Sequence, residues 1–238
     1  MFFKFLYSNR ALKWLLIFQI LFGIGCSDLP FSDKVDQGSI EYEITYPDIP
    51  DDSYLLDLMP KKMETKFIDG SFRSDIVAGM GLFKTSIICE KGKQDLTHSV
   101  KMLNKKYAST LNSEEIKEFN PEFQKVKITP LDEVKEIAGY KCLTAKVTVE
   151  GDSSWEFKVH YTKDIKLENA NLHTPFKEIE GVLMQYDILS YDTHMRFTAN
   201  KVSPEEINND DIVLEDGYKM VSADELKKEI ESIFSKVK

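Results

Sequence analysis

Strict alternation of apolar and polar residues is the feature that most constrains this fold. Residues 39–46 read SIEYEITY, which places Ile40, Tyr42, Ile44 and Tyr46 on one side and polar or charged residues on the other. A period of two residues is typical of a half-buried strand. The same pattern recurs between short turns along much of the chain, so we expect an antiparallel sheet.

Turn signals divide the remaining sequence into predicted hairpins. Asp69-Gly70 is a strong hairpin signal between two such strands. After 39–46, the predicted strands are 63–68, 72–78, 82–90, 95–103, 140–149, 155–161, 182–191 and 193–202. Because consecutive hairpins with one apolar face form a sheet that must be covered on that face, we expect eight or nine strands in a curved half-barrel.

Capping patterns predict two or three short helices. One is expected at 53–59, and Asn112 with Glu115 resembles a capping box before a second. Ser222 and Glu225 form a clearer capping box at the start of an amphipathic C-terminal helix. The expected fold class is therefore α+β and mainly β, with these helices covering part of the sheet.

The first 25 residues have the layout of a secretory signal. Three basic and no acidic residues precede an apolar run, 14–25, that ends in small residues directly before Cys26. A Cys at this position is typical of bacterial lipoproteins, in which the thiol is diacylated and the preceding peptide is removed. Twelve apolar residues fall short of the ~20 that span a bilayer. A plain cleaved signal and an uncleaved anchor are the alternatives.

The expected organisation has three parts. Residues 1–25 form the signal peptide, 26–38 form the lipidated Cys26 and a polar tether, and 39–238 form a single domain. The whole chain carries a formal charge of −9, and its remainder without the basic signal is more acidic. Such a body repels nucleic acid and anionic membrane surfaces, so we expect membrane attachment through acyl chains and no nucleic acid partner.

Two cysteines besides Cys26 admit two interpretations. Cys89 and Cys142 could pair as a disulfide in an oxidising compartment, or they could be separate half-buried thiols on different strands. The chain has no CxxC motif and no Cys/His cluster in its sequence. We therefore expect no zinc site, no thiol redox chemistry and no cofactor.

Three short patterns could carry chemistry, and each has a commoner interpretation. Gly151-Asp152-Ser153 resembles the start of an esterase block, but no His base follows at that family's spacing, which favours a hairpin turn. The loop 208–211 could bind calcium, although a solvated acidic loop is commoner. The histidines lack metal-ligand spacing; they are His98, His160, His173 and His194. We expect no enzyme and no metal site.

Large aromatic and methionine side chains on the predicted strands could line an apolar cavity, because Met adapts to irregular apolar shapes. The candidates are Phe67, Phe72, Phe83, Trp155, Phe157, Met184, Tyr186, Met195 and Phe197. The alternative is that the same side chains fill an ordinary core.

Several short stretches together resemble the GLPGLI-type envelope lipoproteins of the Bacteroidetes. They are Gly38–Tyr42, Met59–Phe67, Ile137–Ala145, His160–Ile165, Ile179–Leu183 and Glu215–Lys219. The resemblance extends to the wider group similar to lipoprotein-localisation carriers. It implies a curved antiparallel sheet partly wrapped around helices, which in the carriers holds a lipid or an acyl group. No site residues carry over.

The leading functional hypothesis is a non-catalytic, lipid-anchored protein of the bacterial cell envelope that binds or carries an apolar ligand such as an acyl chain. We expect it at the outer membrane, facing the periplasm. The alternative is a structural or protein-interaction module with a solid core, which binds another envelope protein through its sheet face or an edge strand.

Overall fold

The computed structural model describes residues 34–119, 125–149, 155–190 and 193–234, apart from the side chains of Ile233 and Phe234. They belong to a compact unit that begins at Lys34. Cys26, the signal and most of the tether lie outside the described residues, as does the turn at Gly151-Asp152-Ser153. No helix in the described part is long and apolar enough to cross a membrane.

Within the described residues, twelve strands form one open, curved sheet. They are β1 Gln37–Thr45, β2 Lys62–Ile68, β3 Ser71–Ala78, β4 Phe83–Cys89, β5 Leu96–Met102, β6 Lys105–Leu111, β7 Val126–Ile137, β8 Tyr140–Val149, β9 Glu156–Thr162, β10 Val182–Ser190, β11 Thr193–Ser203 and β12 Lys219–Met220. Their order is β12-β6-β5-β4-β3-β2-β1-β11-β10-β9-β8-β7. The mainly β fold is confirmed, and the expected count of eight or nine strands is wrong.

The additional strands are β6, β7 and β12, and each lacks a clear period of two. β7 lies at the edge of the sheet with most of its residues exposed, so charges and Pro130 interrupt any apolar pattern. β12 has only two residues and pairs with β6. That pairing is parallel, whereas the other strand pairs are antiparallel. Exposed or very short strands give little hydrophobic signal in a sequence.

Two α-helices and short 3-10 turns complete the described fold. The helices are α1 Ser113–Phe119 and α2 Ala223–Phe234, and the 3-10 turns are Tyr54–Asp57, Gly79–Gly81 and Asn209–Asp211. The predicted capping box is confirmed: Glu115 N–H donates to Asn112 Oδ1 at 3.0 Å, and Asn112 N–H donates to Glu115 Oε2 at 2.9 Å. At α2, the Glu225 N–H donates to Ser222 Oγ at 3.3 Å.

β1 joins two groups of consecutive strands into one sheet. It pairs with β2 on one side and with β11 on the other. Residues 37–45 therefore join strands β2–β6 to strands β7–β11. The register places Ile44 opposite Phe197 and Tyr42 opposite Ala199. Because directly opposite side chains share a face, the predicted apolar face of this strand continues across the sheet.

The buried apolar residues form four packed clusters. The first surrounds Ile40 and Phe67, and the second surrounds Val159 and Phe176. The third comprises Cys89, Leu96 and Leu111 next to α1. The fourth comprises Val100 on β5 together with Leu226 and Ile230 of α2. Segments between the strands, as well as the helices, therefore cover the apolar face.

Residues 204–218, which we call the crossing segment, run over the opposite face. They approach Arg73 on β3. Because Arg73 directly follows Phe72, its side chain points to the face opposite the one that carries the apolar clusters. The Arg73 guanidinium donates to Val213 O at 2.8 Å and to Glu215 Oε1 at 2.9 Å. Burial opposes ionisation of Asp75, yet hydrogen bonds from Ser86, Arg73 and Lys84 hold its pKa below its ordinary value. A compensated ionic cluster thus fixes the segment to β3 and β4.

Candidate functional site

A half-open cleft of about 310 Å³ lies over β9, β10 and β11. Its lining residues are Trp155, Glu156, Phe157, Lys158, His160, Gln185, Asp187, His194 and Arg196. Titratable side chains of both signs thus surround two aromatic rings. This concentration of polar groups makes the cleft the candidate site.

The register of the three strands brings the polar side chains together. Arg196 on β11 lies opposite Asp187 on β10, and Gln185 on β10 lies opposite His160 on β9. Lys158 shares the face of His160 because the two lie two positions apart along β9. Alternation along the strands therefore assembles this site from residues that are distant in sequence.

Asp187 is the buried centre of an ionic network that reaches the surface through Arg196 and Asp48. Its carboxylate is almost inaccessible and receives two hydrogen bonds of 2.8 Å from the Arg196 guanidinium, from Nε and Nη2. His194 Nε2 lies 3.0 Å from the same carboxylate, and His194 Nδ1 lies 3.2 Å from Asp48 Oδ2. A buried carboxylate needs such partners, because an uncompensated buried charge is strongly destabilising.

His160 is a second imidazole beside this network. Its Nδ1 lies 3.0 Å from the Thr144 hydroxyl. Burial lowers the pKa of His160, and the positive charges of Lys135 and Lys158 lower it further. The ring therefore stays neutral to lower pH than an ordinary histidine, and it pairs with a hydroxyl that is itself buried.

Trp155 forms an aromatic wall of the cleft. Its ring centroid lies 5.0 Å from that of Phe157 and 5.2 Å from that of His194, the latter in an edge-to-face arrangement. Such contacts fix the orientation of the indole ring. The cleft therefore combines a positioned aromatic surface with charged hydrogen-bonding groups.

The hydroxyl that lies next to His160 is not placed to act as a nucleophile. Nucleophilic catalysis needs a reachable nucleophile next to a base. The hydroxyl next to His160 belongs to Thr144, which is only 1% exposed and therefore out of reach of a substrate. Among the described His, Cys, Asp and Glu residues, no three lie close enough together to hold a metal ion.

The four histidines lie in different surroundings. Only His160 and His194 line the cleft. His98 lies on β5, where its Nε2 is 2.9 Å from Thr85 Oγ1. His173 belongs to the connection between β9 and β10, and burial lowers its pKa. The loop 208–211 forms a capped 3-10 turn, in which Asn208 N–H donates to Asp211 Oδ2.

The predicted apolar lining residues are divided among the packed clusters. Phe67, Met184, Met195 and Phe197 belong to the first cluster, Trp155 and Phe157 to the second, and Phe83 to the fourth. Tyr186 packs against the first and the second, and Phe72 against the first and the third. Phe67, Phe157, Met184 and Phe197 are buried, and the others are half-buried. Only Trp155 and Phe157 reach the polar cleft.

Cys89 and Cys142 are free, buried thiols. Cys89 lies on β4 and Cys142 on β8, with six strands between them in the sheet order, and they belong to different apolar clusters. Burial raises the pKa of Cys89 to about 12 and that of Cys142 to about 11. The structure thus has separate thiols and no disulfide between them, which is the alternative to the pairing considered above.

The ionic network around Asp187 was not predicted from the sequence. Asp187, Arg196 and Asp48 are not among the candidate residues named above. A signal for two of them is present, because Asp187 interrupts the apolar strand VLMQYDILS and the following hairpin strand carries Arg196. An acidic residue inside an apolar strand needs a basic partner. Asp48 follows β1 and could not be assigned to this network from sequence spacing.

No protein-family model matches the chain, and no curated protein matches it either. The resemblance to envelope lipoproteins therefore stays a prediction from the quoted sequence stretches.

Proposed function

We propose that this chain is a non-catalytic binding module of the bacterial cell envelope, anchored through an acylated Cys26 at the outer membrane and facing the periplasm. It would recognise another envelope protein at its surface. The observation that carries this proposal is the division of the predicted lining residues among packed clusters, which adjoin one another through Tyr186 and Phe72. A carrier for an acyl chain would need these side chains to border one continuous space.

The packing around Phe176 illustrates why a solid interior is the better interpretation. Phe176 is fully buried and meets Phe157 and Tyr186 edge-to-face, with ring centroids 6.2 and 6.1 Å apart. The Tyr42 hydroxyl donates to the Leu183 carbonyl at 2.9 Å. An acyl chain that displaced one large aromatic side chain from such a core would forfeit packing of about 3–5 kcal/mol.

The polar cleft is the surface that we assign to the protein partner. Lys158 and Glu156 give its rim both signs of charge, and Trp155 gives it an aromatic wall. Aromatic residues and arginine are enriched at protein interfaces, where they provide anchoring contacts. This lining suits a polar protein segment better than an acyl chain.

A site-specific crosslink tests the assignment of the cleft. We would place a photo-crosslinking residue at Lys158 and, as a matched control, at Lys163, because both side chains are 51% exposed and both form ion pairs. In intact cells we expect one discrete crosslinked protein from position 158, weakened by Trp155→Ala, and none from position 163. The same products from both positions would refute the cleft as the interface.

Two further measurements test the other parts of the proposal. Replacing Cys26 with Ser should abolish acylation and release the chain from the membrane fraction; unchanged acylation would contradict the anchor. Titration with a fluorescent fatty acid should give no saturable binding. Stoichiometric, saturable binding would instead favour the carrier function, which is the competing hypothesis.

A further inference from the structure

Two turns at one end of the sheet expose large apolar side chains to solvent. We define the apolar tip as Val77, Met80, Leu82 and Leu103, with exposed fractions of 44%, 101%, 54% and 58%. Met80 and Leu82 lie in the turn between β3 and β4, and Leu103 lies in the turn between β5 and β6. Exposed apolar residues grouped in this way mark an interaction surface.

The backbone holds Met80 outward at the apex of the tip. Its φ is 55°, and its neighbours Gly79 and Gly81 also have positive φ values of 55° and 87°. A methionine adopts this left-handed conformation only at an energetic cost. The Leu103 N–H donates to the Leu82 carbonyl at 2.8 Å, which joins the two turns. The tip is therefore one connected surface.

Lysines flank the tip in a chain that is acidic overall. Lys84 pairs with Lys101, and Lys101 pairs with Lys106, so three lysines lie side by side across β4, β5 and β6. Lys84 makes ion pairs with Asp75 at 3.0 Å and Glu215 at 3.4 Å. Among the described carboxylates, none lies within 4.0 Å of the Lys101 ammonium.

The remaining flanking lysines, Lys105 and Lys106, are less closely paired with carboxylates than Lys84 is. Lys105 has a 68% exposed side chain, and its ammonium lies 3.9 Å from Glu229. Lys106 donates to the carbonyl of Asp216 at 3.4 Å and lies over the ring of Tyr218. Lys101, Lys105 and Lys106 therefore carry the positive charge of the rim, whereas Asp75 and Glu215 neutralise Lys84.

We propose that the apolar tip inserts into the interface of an anionic lipid bilayer while the flanking lysines contact the lipid headgroups. Apolar side chains next to lysines are the arrangement by which peripheral proteins lie in a membrane interface. Lysine stems can follow the apolar surface while the ammonium groups stay at headgroup level. Lys101, Lys105 and Lys106 supply the charge complementarity to anionic lipids.

The size of the tip favours a bilayer over a protein partner. A stable protein interface buries at least about 1,000 Å² in total, whereas two turns with four partly exposed side chains offer a small convex surface. A bilayer needs no matching groove. The acidic residues of 48–57 connect β1 to β2 at the same end of the sheet as the tip, so the bilayer would meet the β4–β6 side, away from them.

The chain length before the described domain permits this contact with an anchored protein. Val35 is fixed to the domain by its bridge to Ile165. The nine peptide steps from Cys26 to Val35 reach at most about 30 Å. The tip lies at the far end of β1, and the ten steps from Val35 to Thr45 rise about 33 Å at the usual rise per residue. The anchor and the tip can therefore contact one bilayer when the strands are tilted toward its surface.

A fluorophore at the tip tests the proposal directly. In the full chain carrying Cys26→Ser, an environment-sensitive label would be attached at Met80→Cys, since the thiols of Cys89 and Cys142 are buried. The matched control is Asp69→Cys, which places the label at the opposite end of the sheet on an 81% exposed turn residue with φ of 48°. Vesicles would contain either phosphatidylglycerol or phosphatidylcholine, with brominated lipids as quenchers.

We expect the label at position 80 to shift to the blue and to be quenched on phosphatidylglycerol vesicles, with a weaker response on phosphatidylcholine. The label at position 69 should not respond. Lys101→Gln and Lys105→Gln should each weaken the response at position 80 about fivefold, as expected for one lysine near an anionic surface.

Three results would overturn the proposal. The first is a label at position 80 whose emission is neither shifted nor quenched on either kind of vesicle, and the second is an equal response at positions 80 and 69. The third is a label at position 80 that responds to added envelope proteins and not to lipid. Leu103→Cys repeats the measurement if Met80→Cys fails to fold. Cys26 is replaced in every variant and the cleft residues are unchanged. A negative result in this experiment would therefore contradict membrane insertion of the tip without contradicting the lipid anchor or the protein-binding cleft.

Discussion

Protonation of His98 should destabilise the fold in mild acid. The ring lies between the sheet and α1, with the Phe119 ring centroid 5.6 Å away and the Thr85 hydroxyl 2.9 Å from Nε2. Burial lowers the pKa of His98 to about 4. In the unfolded chain a histidine has a pKa of about 6.5. The unfolded state therefore binds a proton more readily than the folded state does.

The direction and the size of the effect follow from these two pKa values. Because the folded pKa lies below the unfolded one, the full stability is present above about pH 6.5 and is lost as the pH falls toward 4. The difference corresponds to at most about 3 kcal/mol. It is an upper value, because the ring is half-buried by surface area and part of it still contacts solvent.

Urea denaturation at pH 7.5 and pH 4.5 measures this effect when the chain is compared with His98→Gln. Glutamine can keep a hydrogen bond to Thr85 and does not titrate. The parent chain should lose up to about 3 kcal/mol more stability than the variant between the two pH values, while contributions from carboxylates cancel. The variant His173→Gln is the control, because it removes a histidine that is also half-buried but lies elsewhere in the fold. Equal losses in the parent and His98→Gln would refute the reasoning.

Three further outcomes follow from the buried contacts. Arg73→Ala should lower the free energy of unfolding, measured in urea, by about 3–5 kcal/mol. The variant removes the guanidinium that pairs with Asp75 and Glu215. A loss below about 1 kcal/mol would contradict the ionic cluster. Phe176→Ala should cost about 3–5 kcal/mol in the same assay, and a near-neutral effect would indicate loose packing. Cys89 and Cys142 should react with a thiol reagent only after denaturation; rapid reaction of the native protein would contradict their burial.

Strands with one buried face could be predicted from the sequence. The alternation in residues 39–46 locates β1 to within two residues, because every second side chain must enter the core. The capping box at Asn112 and Glu115 is equally local, since the hydrogen bonds join residues three positions apart. Where a short stretch contains the whole physical cause, the sequence predicts the structure.

The edge of the sheet and the crossing segment could not be predicted in the same way. β7 is exposed along most of its length, so its position depends on hydrogen bonds to β8 and not on a hydrophobic pattern. The bond from Arg73 to the Val213 carbonyl links residues 140 positions apart. Nothing in either local sequence identifies the other as its partner.

The candidate site was predicted only in part. The sequence identified Trp155 and Phe157 as notable aromatic residues, and both line the cleft. It could not show which apolar cluster each side chain joins, because that depends on the strand order. The Asp187–Arg196 pair likewise depends on the register of β10 and β11.

Native mass spectrometry of the protein purified from its membrane tests the central claim most directly. A packed binding module predicts the mass of the processed polypeptide with its acyl chains on Cys26 and no other bound molecule. A second, non-covalent lipid that stays with the folded protein and leaves on unfolding would contradict the packed interior, and it would establish the chain as a carrier.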